Sequence, residues 1–163
     1  MRLYLVHHAE ALPKEANQAR PLSDKGRRDA ERMASFLARG GVKVGRTIES
    51  GVRRATETAL ILGKVIGPGA FSEQMKEGLG SDDSTDTLVR AAQGWTGGDV
   101  LDTLVVGHMP HLGRTAARLM TGRDDGMALG FVPGTVACLE PGDDDGTGPW
   151  KLVWMVRPEL LGS

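Results

Sequence analysis

The chain has 163 residues, with 20 Lys+Arg against 21 Asp+Glu, a length that suits one compact domain whose core needs no disulfide or structural metal. The near balance of charge leaves no global basic field of the kind that draws a protein to nucleic acid or an anionic membrane. The single cysteine, Cys138, excludes an intramolecular disulfide and a thiol-rich metal site, and its apolar neighbours predict a core residue.

The opening "MRLYLVHHAE" does not read as a signal peptide, because its apolar run is short and ends in histidines and Glu10. No stretch is long enough to cross a bilayer. These features lead to the expectation of a soluble, monomeric protein of a reducing cytoplasm.

In chain order, residues 2–6 predict a short buried strand running into His7 and His8. A charged loop with Pro13 and Pro21 follows. Ser23 is expected to cap a helix over 24–40, with Ala30, Met33, Ala34 and Leu37 at helical spacing and Gly40-Gly41 as its stop. Residues 46–50 read as a second strand. Residues 52–67 read as a helix with Ala55, Ala59, Leu62 and Ile66 on one face. Residues 67–84 are loop-like, and a short helix is expected over 85–95.

"DTLVVG" at 102–107 is the clearest buried strand, and "HLGRTAARLMTG" continues as a helix with Pro110 in its first turn. "GTVACLEP" and "WKLVWMVRP" predict an antiparallel pair separated by "GDDDGTGP", whose acidic residues form a solvated tip. Trp150 and Trp154 lie at strand spacing and are expected to face the same way, as core or sheet cover. Strands alternating with helices predict an α/β fold: a three-layer sandwich over 1–163. Its central sheet would be mostly parallel, with helices on both faces and an antiparallel C-terminal edge hairpin.

In such sheets ligands bind beyond the carboxyl ends of the strands. His7 and His8 end the first strand, Ser50 with Arg53 and Arg54 follows the second, and Gly107 with His108 ends the strand at 102–107. Arginine forks and helix N-termini at one edge suit a phosphate. A neutral histidine among them could attack phosphorus. Arg53 is expected to be a surface partner for the acidic loops, and the charges of helix 24–40 an ordinary solvated face. His111, a turn after His108, either lines the pocket or lies on the helix surface. A zinc site built on His7, His8, His108 and His111 is a rival reading. Against it, no Asp or Glu ends a matching strand, and adjacent strand residues point to opposite faces.

"LVHHAE", "RPLSDKGRRDA", "ESGVRRATETA" and "LVVGHMPHLG", in this order, resemble the motifs of the histidine phosphatase superfamily, the phosphoglycerate mutase-like fold. The short length and the pairing of "RPLS" with "GHMPHLG" make the chain most similar to its bacterial phosphohistidine phosphatases of the SixA type. The resemblance implies a phosphatase that works through a covalent phosphohistidine. His8 would be the nucleophile, Arg54 and His108 catalytic and phosphate-binding, and His7, in the arginine's place, and Arg20 further phosphate ligands. It implies no metal or organic cofactor, and a phosphorylated protein (a phosphohistidine domain) or a small phosphate ester as partner. The family pattern also supplies a carboxylate after the third strand. Glu77, in "MKEGLG", is the nearest candidate for that general acid, with a solvated loop glutamate as an equal alternative.

Three positions depart from the pattern. Gly51 replaces a proline, Ala9 replaces a glycine, and His7 stands where the family has arginine. An arginine there would be always charged and bidentate. Histidine, with an ordinary pKa of roughly 6.5, is only partly charged at neutral pH. His7 is therefore the residue expected to make this enzyme slow, pH-dependent or inactive, and a phosphate-binding pseudo-phosphatase is the alternative it raises.

Overall fold

The computed structural model describes residues 1–97 and 101–162. Its order is β1 (Leu3–His7), α1 (Asp24–Arg39), β2 (Arg46–Glu49), α2 (Arg53–Ile66), β3 (Phe71–Gln74), α3 (Asp86–Gly94), β4 (Thr103–Gly107), α4 (His111–Thr121), β5 (Val136–Glu140) and β6 (Lys151–Val156), closed by a 3₁₀ turn at Pro158–Leu161. The six strands form one sheet in the order β3-β2-β4-β1-β5-β6. β1 through β4 run parallel to one another; β5 pairs antiparallel with β1 and with β6. The three-layer α/β arrangement is the one the sequence predicts. Among the described residues no helix is long and apolar enough to cross a membrane.

β1 and β4 are buried on both faces, so their apolar runs are continuous rather than alternating. Tyr4, Val6, Leu104 and Val106 pack under α1 and α2, with Met33, Leu37, Ala59 and Leu62. Leu3, Leu5 and Val105 pack on the other face against Leu88, Leu112 and Ala116 of α3 and α4. Ser23 caps α1 by accepting the Gly26 N–H at 3.0 Å. Gly26 is required by packing: a Cβ there would stand 2.0 Å from the Glu10 carbonyl oxygen. That close approach seats α1 against the segment that leaves the end of β1.

Two expectations need correction. Residues 71–74 are not loop but an edge strand, β3, hydrogen-bonded parallel to β2. All four residues are exposed, so "FSEQ" carries no apolar alternation and only the backbone ladder defines it. Trp150 and Trp154 face opposite ways. Cys138 pairs with Trp154 but Leu139 pairs with Leu152, so β6 carries one extra residue, a bulge that reverses the side-chain parity. Trp150 packs with the α3–α4 core, whereas Trp154 joins the opposite core beside Tyr4 at 5.8 Å between ring centroids. Cys138 is buried as expected. The solvated face of α1 has one exception, Asp29, which is 3% exposed and bonded to Lys25 and Arg32.

Candidate active site

The parallel strands end together, and the register fixes which residues meet. His7 lies opposite Gly107 in the β1–β4 ladder, and the His8 N–H donates to the Gly107 carbonyl at 3.1 Å. His108 follows directly. Ser50 and Gly51 leave β2, where Gly51 at φ +80° makes a turn open to glycine and closed to proline. α2 then starts at Arg53. His7, His8, Arg54 and His108 thus come to one edge, as predicted. The His8 ring centroid is 4.6 Å from that of His7 and 5.1 Å from that of His108.

The protonation pattern of His8 follows from its partners. Nδ1 is 2.8 Å from the Ala9 carbonyl, which can only accept, so Nδ1 carries the hydrogen and Nε2 a lone pair. The Arg54 Nε–H donates to that Nε2 at 3.1 Å. Burial, reinforced by the charges of His7, His108 and Arg54, drives the His8 pKa down to about 3 against the pull of the Ala9 carbonyl. His8 is therefore neutral at pH 7. His108, 4% exposed, shares a 2.7 Å hydrogen bond between its Nε2 and the Ser50 hydroxyl. Burial first, then Arg54, lowers its pKa to about 4.

The Arg54 pKa is itself lowered, by burial first and then by the charge of Arg20. Arg20 is the one described non-glycine residue with positive φ, at 46°. Its N–H donates to the Asn17 carbonyl at 3.0 Å and its Nε to the Leu12 carbonyl at 3.1 Å. Among the described residues neither Arg20 nor Arg54 has a carboxylate partner. Guanidinium groups without a carboxylate counter-charge favour an incoming anion.

His7 is half-buried, and its Nδ1–H donates to the Phe131 carbonyl at 3.1 Å. Burial lowers its pKa, opposed by the Phe131 and Val132 carbonyls. A neutral His7 thus has only an acceptor at Nε2, the reverse of what an arginine offers a phosphoryl oxygen. His7→Arg is expected to keep or raise phosphatase activity by restoring a charge-assisted donor. A large drop in steady-state turnover would instead assign His7 a role of its own.

Glu77 is exposed in the loop after β3, and among the described residues it has no hydrogen bond or ion pair. Because β3 is parallel to β2, its carboxyl end, and so this loop, lies at the same sheet edge. His111 is not on the helix surface: it is fully buried at the start of α4, with Nε2 3.3 Å from the Ser84 carbonyl. Arg53 pairs with Glu57 of its own helix at 2.9 Å, not with the acidic loops. Among the described residues no three His, Cys, Asp or Glu side chains group in a way that could hold a metal ion.

Sequence reasoning places Ser50 at this edge without assigning it a role and gives Thr58 none. The Thr58 hydroxyl donates to the Arg54 carbonyl at 2.7 Å and accepts the Ala9 N–H at 3.0 Å, which ties the backbone beside His8 to the arginine's own turn. Its spacing of four residues after Arg54 is the signal that would have found it. Phe131, which orients His7, carried no such signal, because its backbone carbonyl does the work.

Comparisons with known proteins find histidine phosphatases. The family profile described as histidine phosphatase superfamily (branch 1) matches residues 3–81, a span that includes His7, His8, Arg20, Arg54 and Glu77. The phosphohistidine phosphatase SixA of Escherichia coli (strain K12) is 27% identical over 153 residues, covering 93% of each chain. The fold is similar to that of the protein histidine phosphatase SixA complexed with tungstate, with a TM-score of 0.87 at 24% identity over 99% of both chains. It also resembles a mycobacterial glucosyl-3-phosphoglycerate phosphatase, with a TM-score of 0.64 at 18% identity over 94% of this chain and 98% of that one. The chain is thus similar to the histidine phosphatase superfamily in sequence over residues 3–81 and resembles its solved members in fold.

Proposed function

We propose that residues 1–163 form one phosphatase domain that hydrolyses phosphohistidine on protein substrates through a covalent intermediate on His8. The observation that carries the reading is the neutral His8. Its Nδ1–H is fixed on the Ala9 carbonyl and its Nε2 is presented beside Arg54. In the first step Nε2 attacks phosphorus and the bond to the leaving group breaks, its electron pair going to that group. Arg54, Arg20 and His108 surround the phosphoryl oxygens, and the fixed positive charge comes from the two arginines. Water then attacks phosphorus. The P–N bond breaks with its electron pair returning to Nε2, and the water proton leaves to a phosphoryl oxygen or to solvent.

The leaving group distinguishes the substrates. A phosphohistidine protonated on its second ring nitrogen leaves as neutral imidazole and needs no general acid. An alcohol does need one. The SixA relative is named a phosphohistidine phosphatase, and tungstate, present in the similar solved SixA structure, is a tetrahedral oxyanion like phosphate. The second reading, hydrolysis of small phosphate esters, is favoured by the position of Glu77 after β3. An assay on a phosphohistidine protein and on an aryl phosphate, with a chelator present, tests both. Faster turnover of the phosphohistidine protein is expected. Turnover of neither, with phosphate still bound, would make the chain a phosphate-binding module.

A further inference from the structure

Glu57 lies on α2 one turn beyond Arg54, inside "ESGVRRATETA" but at a position given no role above. Its carboxylate is 17% exposed and fully bonded. Oε2 accepts the Leu22 N–H at 2.8 Å and Arg27 Nη2 at 3.1 Å, and Oε1 accepts Arg53 Nε at 2.9 Å. Burial alone would raise its pKa, but the Leu22 N–H and the two arginines outweigh that and leave it lowered, hence ionised.

Leu22 is 3% exposed and packs with Ala9 and Ala30. It stands two residues after Arg20 across Pro21, whose ring fixes φ. The position of the Leu22 N–H therefore sets that of the Arg20 backbone, which is itself in the left-handed region. Segment 10–22 is closed on itself by the Ala11–Leu22 bridge and by the Leu12 N–H on the Pro21 carbonyl at 2.8 Å. Among the described residues, the Leu22–Glu57 bond is the one hydrogen bond that ties this segment to α2. The tie acts against a force, because Arg20 and Arg54 repel each other.

We propose that Glu57 is a positioning residue: its carboxylate anchors the Arg20 end of segment 10–22 to α2 and so sets the spacing between Arg20 and Arg54. This rests on the reading that the two arginines hold the phosphoryl group. It identifies a specific helper of that site, acting through Leu22 and touching no substrate.

The test is a double-mutant cycle read by tungstate affinity and by KM and kcat on one aryl phosphate. Glu57→Ala is expected to weaken tungstate binding and raise KM by about tenfold, with less change in kcat. Arg20→Ala should do the same, and the double variant should be no weaker than Arg20→Ala alone. Glu57→Gln, whose amide oxygen can still accept the Leu22 N–H, should recover most of the affinity. Full additivity, or a fall in thermal stability with unchanged KM and tungstate affinity, overturns the proposal. If Glu57→Ala does not fold, Glu57→Asp, which keeps the charge but shortens the reach, replaces it, and normal tungstate affinity in that variant is equally fatal. Unchanged affinity in both Arg20→Ala and Arg54→Ala would instead remove the phosphate-site reading itself.

Discussion

His8→Asn is expected to abolish turnover, by about four orders of magnitude or more, since removing a nucleophile removes the covalent route and not merely one contact. Asparagine is polar, uncharged and smaller than the imidazole, so the fold and the Arg54 guanidinium are left in place. The matching physical observation is the intermediate. Wild-type protein quenched during turnover should carry an acid-labile, alkali-stable phosphate on His8, and the variant should carry none. Retained turnover in His8→Asn would refute the covalent mechanism, whatever the substrate.

Arg54→Ala is expected to lower kcat/KM by about two to three orders of magnitude, on the scale of removing one preorganised donor from a developing anion. Arg54 is half-buried and hydrogen-bonded to His8 Nε2, the proposed attacking nitrogen. It is also one of the charges that hold down the His8 and His108 pKa values. The variant should therefore bind phosphate weakly, and the acid limb of its pH–rate profile should move upward. Arg54→Lys should recover little, because a point charge cannot both donate to Nε2 and fork onto phosphoryl oxygens. A loss below tenfold in Arg54→Ala would show that Arg20 carries most of the charge.

Much of this site is legible in the sequence because a parallel sheet converts strand ends into a shared location. The apolar runs before His8 and His108 are enough to place both residues at one edge. Ser50 with Arg54 follows from the helix that must start after β2. The obscure parts are those carried by backbone or by tertiary register. β3 is exposed on both faces and leaves no periodic trace. The bulge that separates Trp150 from Trp154 has no signature residue. His111 reads as either a pocket or a surface histidine because its burial is set by the Ser84 loop, distant in sequence. The choice of Nδ1 as the proton-bearing atom of His8 depends on the direction of one carbonyl, which no sequence pattern encodes.

The neutral histidines also couple folding to acidity. In the unfolded chain His8 and His108 would bind protons near an ordinary value of about 6.5, whereas in the native state they do so only near about 3 and about 4. Below about 6.5 the unfolded state therefore takes up protons that the native state refuses, and stability declines as pH falls. It is full above that value and is completely lost from these two groups only below the native pKa values. Urea unfolding at pH 7.5 and pH 5.5 should show the decline before most carboxylates titrate, and His8→Asn should flatten it. A midpoint that does not move between the two would mean that the histidines are already charged when folded. A protein that keeps its proposed nucleophile ready by refusing a proton is thus one whose native state is selected against by mild acid.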